Sequence, residues 1–161
     1  MMKSLVVYYS RTGTTRAVGK AIAEELGASC EEIIDLKKRT GLRPIRWLIA
    51  GMDAWRKKLT KIKTQKEPER YDMIIIGTPI WGGKMTPAVR TYLTNKNLDG
   101  KKVGFFCTAR GPDKEKAFEE MKNMVPKSTV VGSLVILASE VKSGSYKEKV
   151  KSFVENLSRS P

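Results

Sequence analysis

The residues with the clearest chemical purpose form one short turn, Ser10-Arg11-Thr12-Gly13-Thr14-Thr15. It lies between an apolar run, Leu5–Tyr9, and a stretch in which Ala17, Val18, Ala21, Ile22 and Leu26 recur at helical spacing. Hydroxyls at 10, 12, 14 and 15 meet there with the amides of a helix N-terminus. A phosphate group needs many hydrogen-bond donors, a positive dipole end and a glycine that lets the backbone come close. Arg11 and Arg16 add charge nearby. The turn lacks the GxxxxGK[ST] pattern of a nucleoside-triphosphate loop. A Ser/Thr-rich turn with an ordinary helix cap has the same composition, so this segment alone leaves both readings open.

Two further segments have the same placement after an apolar run. Gly77-Thr78-Pro79-Ile80-Trp81-Gly82-Gly83-Lys84 follows Tyr71–Ile76, and Cys107-Thr108-Ala109-Arg110-Gly111-Pro112 ends the run Lys102–Cys107. A tryptophan in a glycine-rich loop is a poor core residue and a good platform for a planar ligand. The chain has no histidine, and its two cysteines, Cys30 and Cys107, stand in no metal-ligand spacing. That composition removes most zinc sites and any Ser-His-Asp or Cys-His arrangement. No acid–base pair adjoins the three segments.

The elements that must hold these segments are legible from periodicity. Strands are expected at Leu5–Tyr9, Cys30–Ile34, Tyr71–Ile76, Lys102–Cys107 and Val130–Ala138. Helices are expected over Ala17–Leu26, over Ala88–Leu93 with Pro87 in its first turn, over Asp113–Met124 and over Tyr146–Leu157. Continuous apolar runs such as Met73-Ile74-Ile75-Ile76 mark strands covered on both faces. Strands alternating with helices imply right-handed βαβ units in one α/β domain spanning residues 1–161. With strand order 2-1-3-4-5, the chain reverses direction between strands 1 and 3, and a ligand binds there over the carboxyl ends. All three segments meet at that place.

Residues 37–70 are too long for a simple connection and form a basic helical insert after strand 2. Residues 37–66 hold eleven Lys or Arg against one acid, Asp53, within a chain whose net charge is +14. Such a patch attracts an anionic partner. Ile45, Leu48, Ile49, Met52, Trp55, Leu59 and Ile62 follow i, i+3, i+4 spacing, which predicts an amphipathic helix of about four turns packing its apolar stripe on the domain. Trp47 falls on its opposite, basic face. Arg56 and Lys63 interrupt the stripe, and Gly51 predicts a bend or an early end. The amino-terminal run reads as a strand rather than a signal peptide, no apolar run has membrane-spanning length, and reduced, mostly buried cysteines fit a cytoplasmic protein.

Taken together, these segments resemble the flavodoxin family over nearly the whole chain apart from residues 37–70. Ser10-x-Thr12-Gly13-x-Thr15 matches the family's [ST]-x-T-G-x-T phosphate loop, and GTPIWGGKMTPAVRTYL is similar to the corresponding stretch of many stand-alone flavodoxin-like proteins. The resemblance implies a flavodoxin-like doubly wound five-stranded parallel sheet with helices on both faces. It implies flavin mononucleotide (FMN) as cofactor, with Ser10, Arg11, Thr12, Gly13, Thr14 and Thr15 at its phosphate. Thr78, Pro79, Ile80, Trp81, Gly82 and Gly83 would line the isoalloxazine ring, with Trp81 stacked on it, as would Thr108, Ala109, Arg110 and Gly111. The function so implied is one-electron transfer between redox partners. An FMN-dependent oxidoreductase acting on a quinone or porphyrin-type substrate is the alternative. Three features depart from the family pattern. The chain is basic where most flavodoxins are acidic, and residues 108–114 hold no second aromatic. The insert is also not the extra loop of long-chain flavodoxins, which interrupts the fifth strand. The expected partner is an acidic redox protein, with membrane-surface contact through residues 43–63 as another use of the patch. No RNA-binding motif or array of stacking aromatics points to nucleic acid.

Overall fold

The computed structural model describes residues 2–37, 43–55, 59–111 and 115–160. In chain order the elements are β1 (Ser4–Tyr8), α1 (Thr14–Leu26), β2 (Ser29–Glu32), β3 (Ile34–Asp35), α2 (Arg43–Trp55), β4 (Ile62–Lys63) and a single 3₁₀ turn at Pro68–Arg70. There follow β5 (Met73–Trp81), β6 (Lys84–Met85), α3 (Pro87–Asn95), β7 (Lys102–Ala109), α4 (Glu115–Asn123), β8 (Thr129–Leu137), α5 (Ala138–Ser143) and α6 (Tyr146–Arg159). The helix start expected at Pro112-Asp113 lies outside the described residues.

The main sheet runs β2-β1-β5-β7-β8, all parallel, which is the expected order 2-1-3-4-5. Val6 pairs with Cys30 on one side and Ile75 on the other, and Ile75 pairs in turn with Gly104. Period-2 alternation sends Leu5, Val7, Ile74, Ile76, Phe105 and Cys107 to one face, where α3 and α4 cover them through Val89, Tyr92, Phe118 and Met121. Val6, Tyr8, Ile75 and Phe106 go to the other face, under Val18 and Ile22 of α1 and Phe153 and Leu157 of α6. Both faces are therefore buried, which is why the strand sequences read as unbroken apolar runs.

Three details differ from expectation. The third long strand continues through Trp81 instead of ending near Gly77. Beyond Gly77 it has lost β1 as a neighbour: Thr78 and Pro79 pair with β7, and Ile80 and Trp81 pair with β6. Pro79, which has no N–H to donate, is tolerated on such a free side. The second strand stops at Glu32, and a two-residue antiparallel ladder, Ile34↔Lys63 and Asp35↔Ile62, closes the base of the insert. Ile62 thus belongs to a strand, not to the insert helix.

The insert helix also presents a different face. It passes through Gly51 without ending and runs to Trp55. Its apolar stripe points outward: Ile45 is 50% exposed, Leu48 64% and Met52 41%. Among its described side chains it buries Ala50 and Asp53. Asp53 is held by the ammonium of Lys37, and Ala50 belongs to the same apolar cluster as Trp81 and Met85. The helix backbone comes up to the turn after β5, where a Cβ on Gly82 would lie 3.7 Å from the Gly51 carbonyl oxygen.

Candidate functional site

The turn between β1 and α1 owes its shape to Ser10 and Gly13. Ser10 is buried, and its Oγ accepts hydrogen bonds from the backbone N–H of Gly13 and of Arg16, each at 3.1 Å. Its hydroxyl proton stays available to a ligand. Gly13 sits at φ +98°, ψ −11°, and caps the helix. Its own carbonyl accepts the first helical hydrogen bond, from Ala17 at 3.0 Å. The amides of Thr14 and Thr15 precede that bond and so have no partner within the helix. They join the positive end of the α1 dipole, next to the hydroxyls of Thr12 and Thr14, whose oxygens lie 3.5 Å apart.

Gly13→Ala leaves room for the new Cβ, whose nearest neighbour would be the Arg16 side chain at 3.6 Å. The left-handed backbone is the obstacle, and it costs an L-residue roughly 1–2 kcal/mol. The variant is expected to melt lower by a few degrees. An unchanged melting temperature would show that the turn relaxes at no cost.

The second and third segments close on the same point. Thr15 and Thr108 bridge them through their hydroxyls at 2.7 Å, both side chains buried. Thr78 turns away from the cleft: its hydroxyl donates to the Pro79 carbonyl at 2.9 Å and accepts from the Thr86 N–H at 3.1 Å. Gly82 and Gly83, at φ +58° and +78°, form the two-residue turn that reverses β5 into β6. Positive φ at both central positions matches the twist of a tight hairpin, and glycine supplies it without strain. That turn fixes Trp81. The indole is 4% exposed and meets Tyr9 edge-on, with centroids 5.7 Å apart. Trp81 is therefore a core residue as well as a cleft wall, contrary to its reading as a poor core residue.

A cavity of about 130 Å³ lies where the three loops meet. Arg11, Thr12, Thr14 and Thr15 line it from the first loop, Pro79, Ile80 and Trp81 from the second, and Thr108, Ala109 and Arg110 from the third. Ser10, Gly13, Thr78, Gly82, Gly83 and Gly111 do not line it. The first five shape the loops by the contacts just described.

Two lining residues were not anticipated. Ala138 comes from the start of α5, directly after β8. Trp47 comes from α2 and is 39% exposed. The Arg11 Cζ lies 4.8 Å from the Trp47 ring centroid and 5.4 Å from that of Trp81, both within cation–π reach. Arg110 approaches the same Trp47 ring at 5.4 Å. The only sequence signal for Trp47 was an indole on the basic side of the insert helix.

The site is electropositive. Arg11 and Arg110 line it, and no carboxylate, lysine, cysteine or tyrosine does so among the described residues. Arg16, in contrast, is committed elsewhere, through a two-pronged pair with Glu32 at 2.8 Å for each contact. On the far side of the β5–β6 hairpin, Lys84 and Arg90 bind Glu120 at 2.5 and 2.6 Å. Burial would raise that carboxyl, but these two partners outweigh it and hold it below its usual range. Cys30 and Cys107 are both reduced thiols. Cys107 is buried, and partial burial pushes the Cys30 thiol up, away from reactivity. No cluster of metal-ligating side chains occurs among the described residues, and no helix there is long and apolar enough to cross a membrane.

The donor set suits FMN. Uncommitted first-turn amides and hydroxyls face the place of a phosphate, and a flat guanidinium already bridges two indoles beside it. The cavity is smaller than the ~300–1,000 Å³ usual for small-molecule sites, and the Arg11 side chain is part of its wall.

Several solved structures share this architecture. A flavoprotein of Lactobacillus acidophilus in complex with FMN aligns at a TM-score of 0.71 and 24% identity, covering 90% of this chain and 99% of that chain. Oxidised flavodoxin 2 of Bacillus cereus aligns at 0.65 and 22% identity, covering 98% of each chain. A protein of Bacteroides uniformis aligns at 0.79 and 25% identity, over 96% of this chain and 98% of that one. The sequence model of the flavodoxin family matches residues 3–157. That match spans all three loops and both covered faces of the sheet, and the chain belongs to the flavodoxin family.

Proposed function

We propose that this protein binds one FMN in the cleft over the carboxyl ends of β1, β5 and β7 and carries electrons between redox partners. The observation that carries this reading is the convergence of the hydroxyl-rich N-terminus of α1 with the Trp81 wall across the Thr15–Thr108 bridge. FMN supplies the redox chemistry. The chain's residues bind its phosphate, cover its ring and set the local charge.

The lining supports a carrier over a reductase. Among the described residues its ionisable groups are two arginines, neither suited to proton transfer to an organic substrate. Reconstituted with FMN, the protein is expected to accept electrons from a reductase and pass them on. With NAD(P)H and a quinone alone it should turn over almost nothing. Sustained turnover with that pair would favour the reductase reading instead.

The partner we propose is an acidic protein that docks on α2. The outward Ile45, Leu48 and Met52 provide apolar contact, and the net charge of +10 over residues 37–66 provides steering. Electron transfer to such a partner should slow as salt rises, since the Debye length falls to about 3 Å at 1 M. Charge reversal at Lys57, Lys58 and Lys61 should slow it further, with an unaltered flavin spectrum. A salt-independent rate would remove the insert from docking.

A further inference from the structure

We infer that Trp47, delivered by the insert helix, is the second aromatic wall of the flavin slot, and that Arg11 holds the place of the flavin ring between Trp47 and Trp81 until the cofactor arrives. The inference rests on the FMN reading above and adds a residue outside the three loops that define the cleft.

Three observations lead to it. First, the loop after β7 offers no ring: Thr108, Ala109 and Arg110 line the cavity, and no aromatic stands among them. Trp81 would leave one face of a planar ligand uncovered. Second, α2 is anchored so as to place a residue there. Ala50 is fully buried beside Trp81, Asp53 is buried against Lys37, and the Gly51 carbonyl lies over Gly82. Trp47 precedes Ala50 and Gly51 by three and four residues, so it shares the helix face that touches the Trp81 turn. Third, the two indoles already share one flat cation. The Arg11 guanidinium lies 4.8 Å from one ring centroid and 5.4 Å from the other.

A planar, delocalised group held between two indoles is a stand-in for a planar, delocalised ring. The isoalloxazine is larger and more apolar, so it gains more from both indoles than a guanidinium does. Arg11 has a long, flexible side chain on the phosphate loop, and it can swing out to the solvent edge without moving the backbone. There its charge stays close to the FMN phosphate. The insert thus acts as a cover whose inner side holds the cofactor while its outer side, with Ile45 and Leu48, stays exposed.

The test is a set of FMN titrations of the apoprotein with Trp47→Ala, Trp47→Leu and Trp47→Phe, together with the FMN dissociation rate by stopped-flow flavin emission. Trp47 is partly exposed, so all three variants should melt close to wild type. Trp47→Ala is expected to weaken FMN binding about tenfold and to speed its release, the scale of one aromatic stacking contact. Trp47→Leu keeps apolar bulk but loses the ring, and should fall with Ala. Trp47→Phe should recover most of the affinity. Wild-type affinity and release in both Ala and Leu variants would overturn the role of Trp47 while leaving the FMN reading intact. Recovery by Leu as fully as by Phe would also overturn it, since apolar bulk would then suffice. Failure of the wild-type protein itself to bind FMN would overturn the FMN reading and this inference with it.

Discussion

FMN is expected to bind this protein at least about a hundredfold more tightly than riboflavin. The two ligands share the ring and differ by the phosphate, so the comparison isolates the turn between β1 and α1. Hydrogen bonds to a charged group are worth roughly 1.5–3 kcal/mol each. Two of them, from the set offered by the Thr14 and Thr15 amides and the hydroxyls of Ser10, Thr12 and Thr14, already account for a hundredfold. The α1 dipole and Arg11 act in the same direction. Paired titrations of the apoprotein, read by quenching of flavin emission, check the ratio. Equal affinities would mean that the turn is an ordinary helix cap and that the ring alone is recognised.

The second large effect concerns the charge at the cleft. Fully reduced FMN would be held as an anion, and among the described residues the lining offers two arginines and no carboxylate. A positive surround favours the reduced anion. The second one-electron potential should therefore lie higher than in acidic flavodoxins. Arg110 is the accessible probe of this effect, since it is exposed at the cavity edge and contacts Trp47. Exposure limits such a charge to roughly 0.2–1 kcal/mol. On a scale of ~59 mV per tenfold change for one electron, this amounts to about 10–40 mV. Arg110→Gln is expected to lower the second potential by that amount, leaving FMN affinity within a few fold. Spectroelectrochemistry on both proteins decides it, and a mutant potential that stays put or rises would separate the basic lining from redox tuning.

The frame of this molecule could be read from its sequence because strong local signals agree with one another. Leu5–Tyr9, Gly13 and the 17-18-21-22 periodicity each point to the same strand, turn and helix, and Gly27 ends that helix in the left-handed conformation that glycine favours. The phosphate turn was legible for the same reason: its hydroxyls, glycine and helix start are contiguous. What periodicity could not tell was which face of α2 turns inward. The apolar stripe through Ile45, Leu48 and Met52 looked like the packing face. Instead the helix buries Ala50 in the cluster that holds Trp81, brings the Gly51 carbonyl oxygen to Gly82, and pairs Asp53 with Lys37, sixteen residues before it. Trp47 was assigned to the wrong side as a consequence, and with it one wall of the cleft. Trp81 was misplaced for a related reason. Gly77-Thr78-Pro79 has the composition of a turn, and tertiary pairing with β7, and of Gly77 with β1 as well, keeps it in a strand.

The most direct test of the central claim is amide NMR of the apoprotein during titration with FMN and, in parallel, riboflavin. If the phosphate sits on the N-terminus of α1, the amide resonances of Thr12, Thr14 and Thr15 move with FMN and saturate at one equivalent. They should move far less with riboflavin, while the indole resonances of Trp81 and Trp47 move with both. Unshifted Thr14 and Thr15 amides in a protein saturated with FMN would contradict the account.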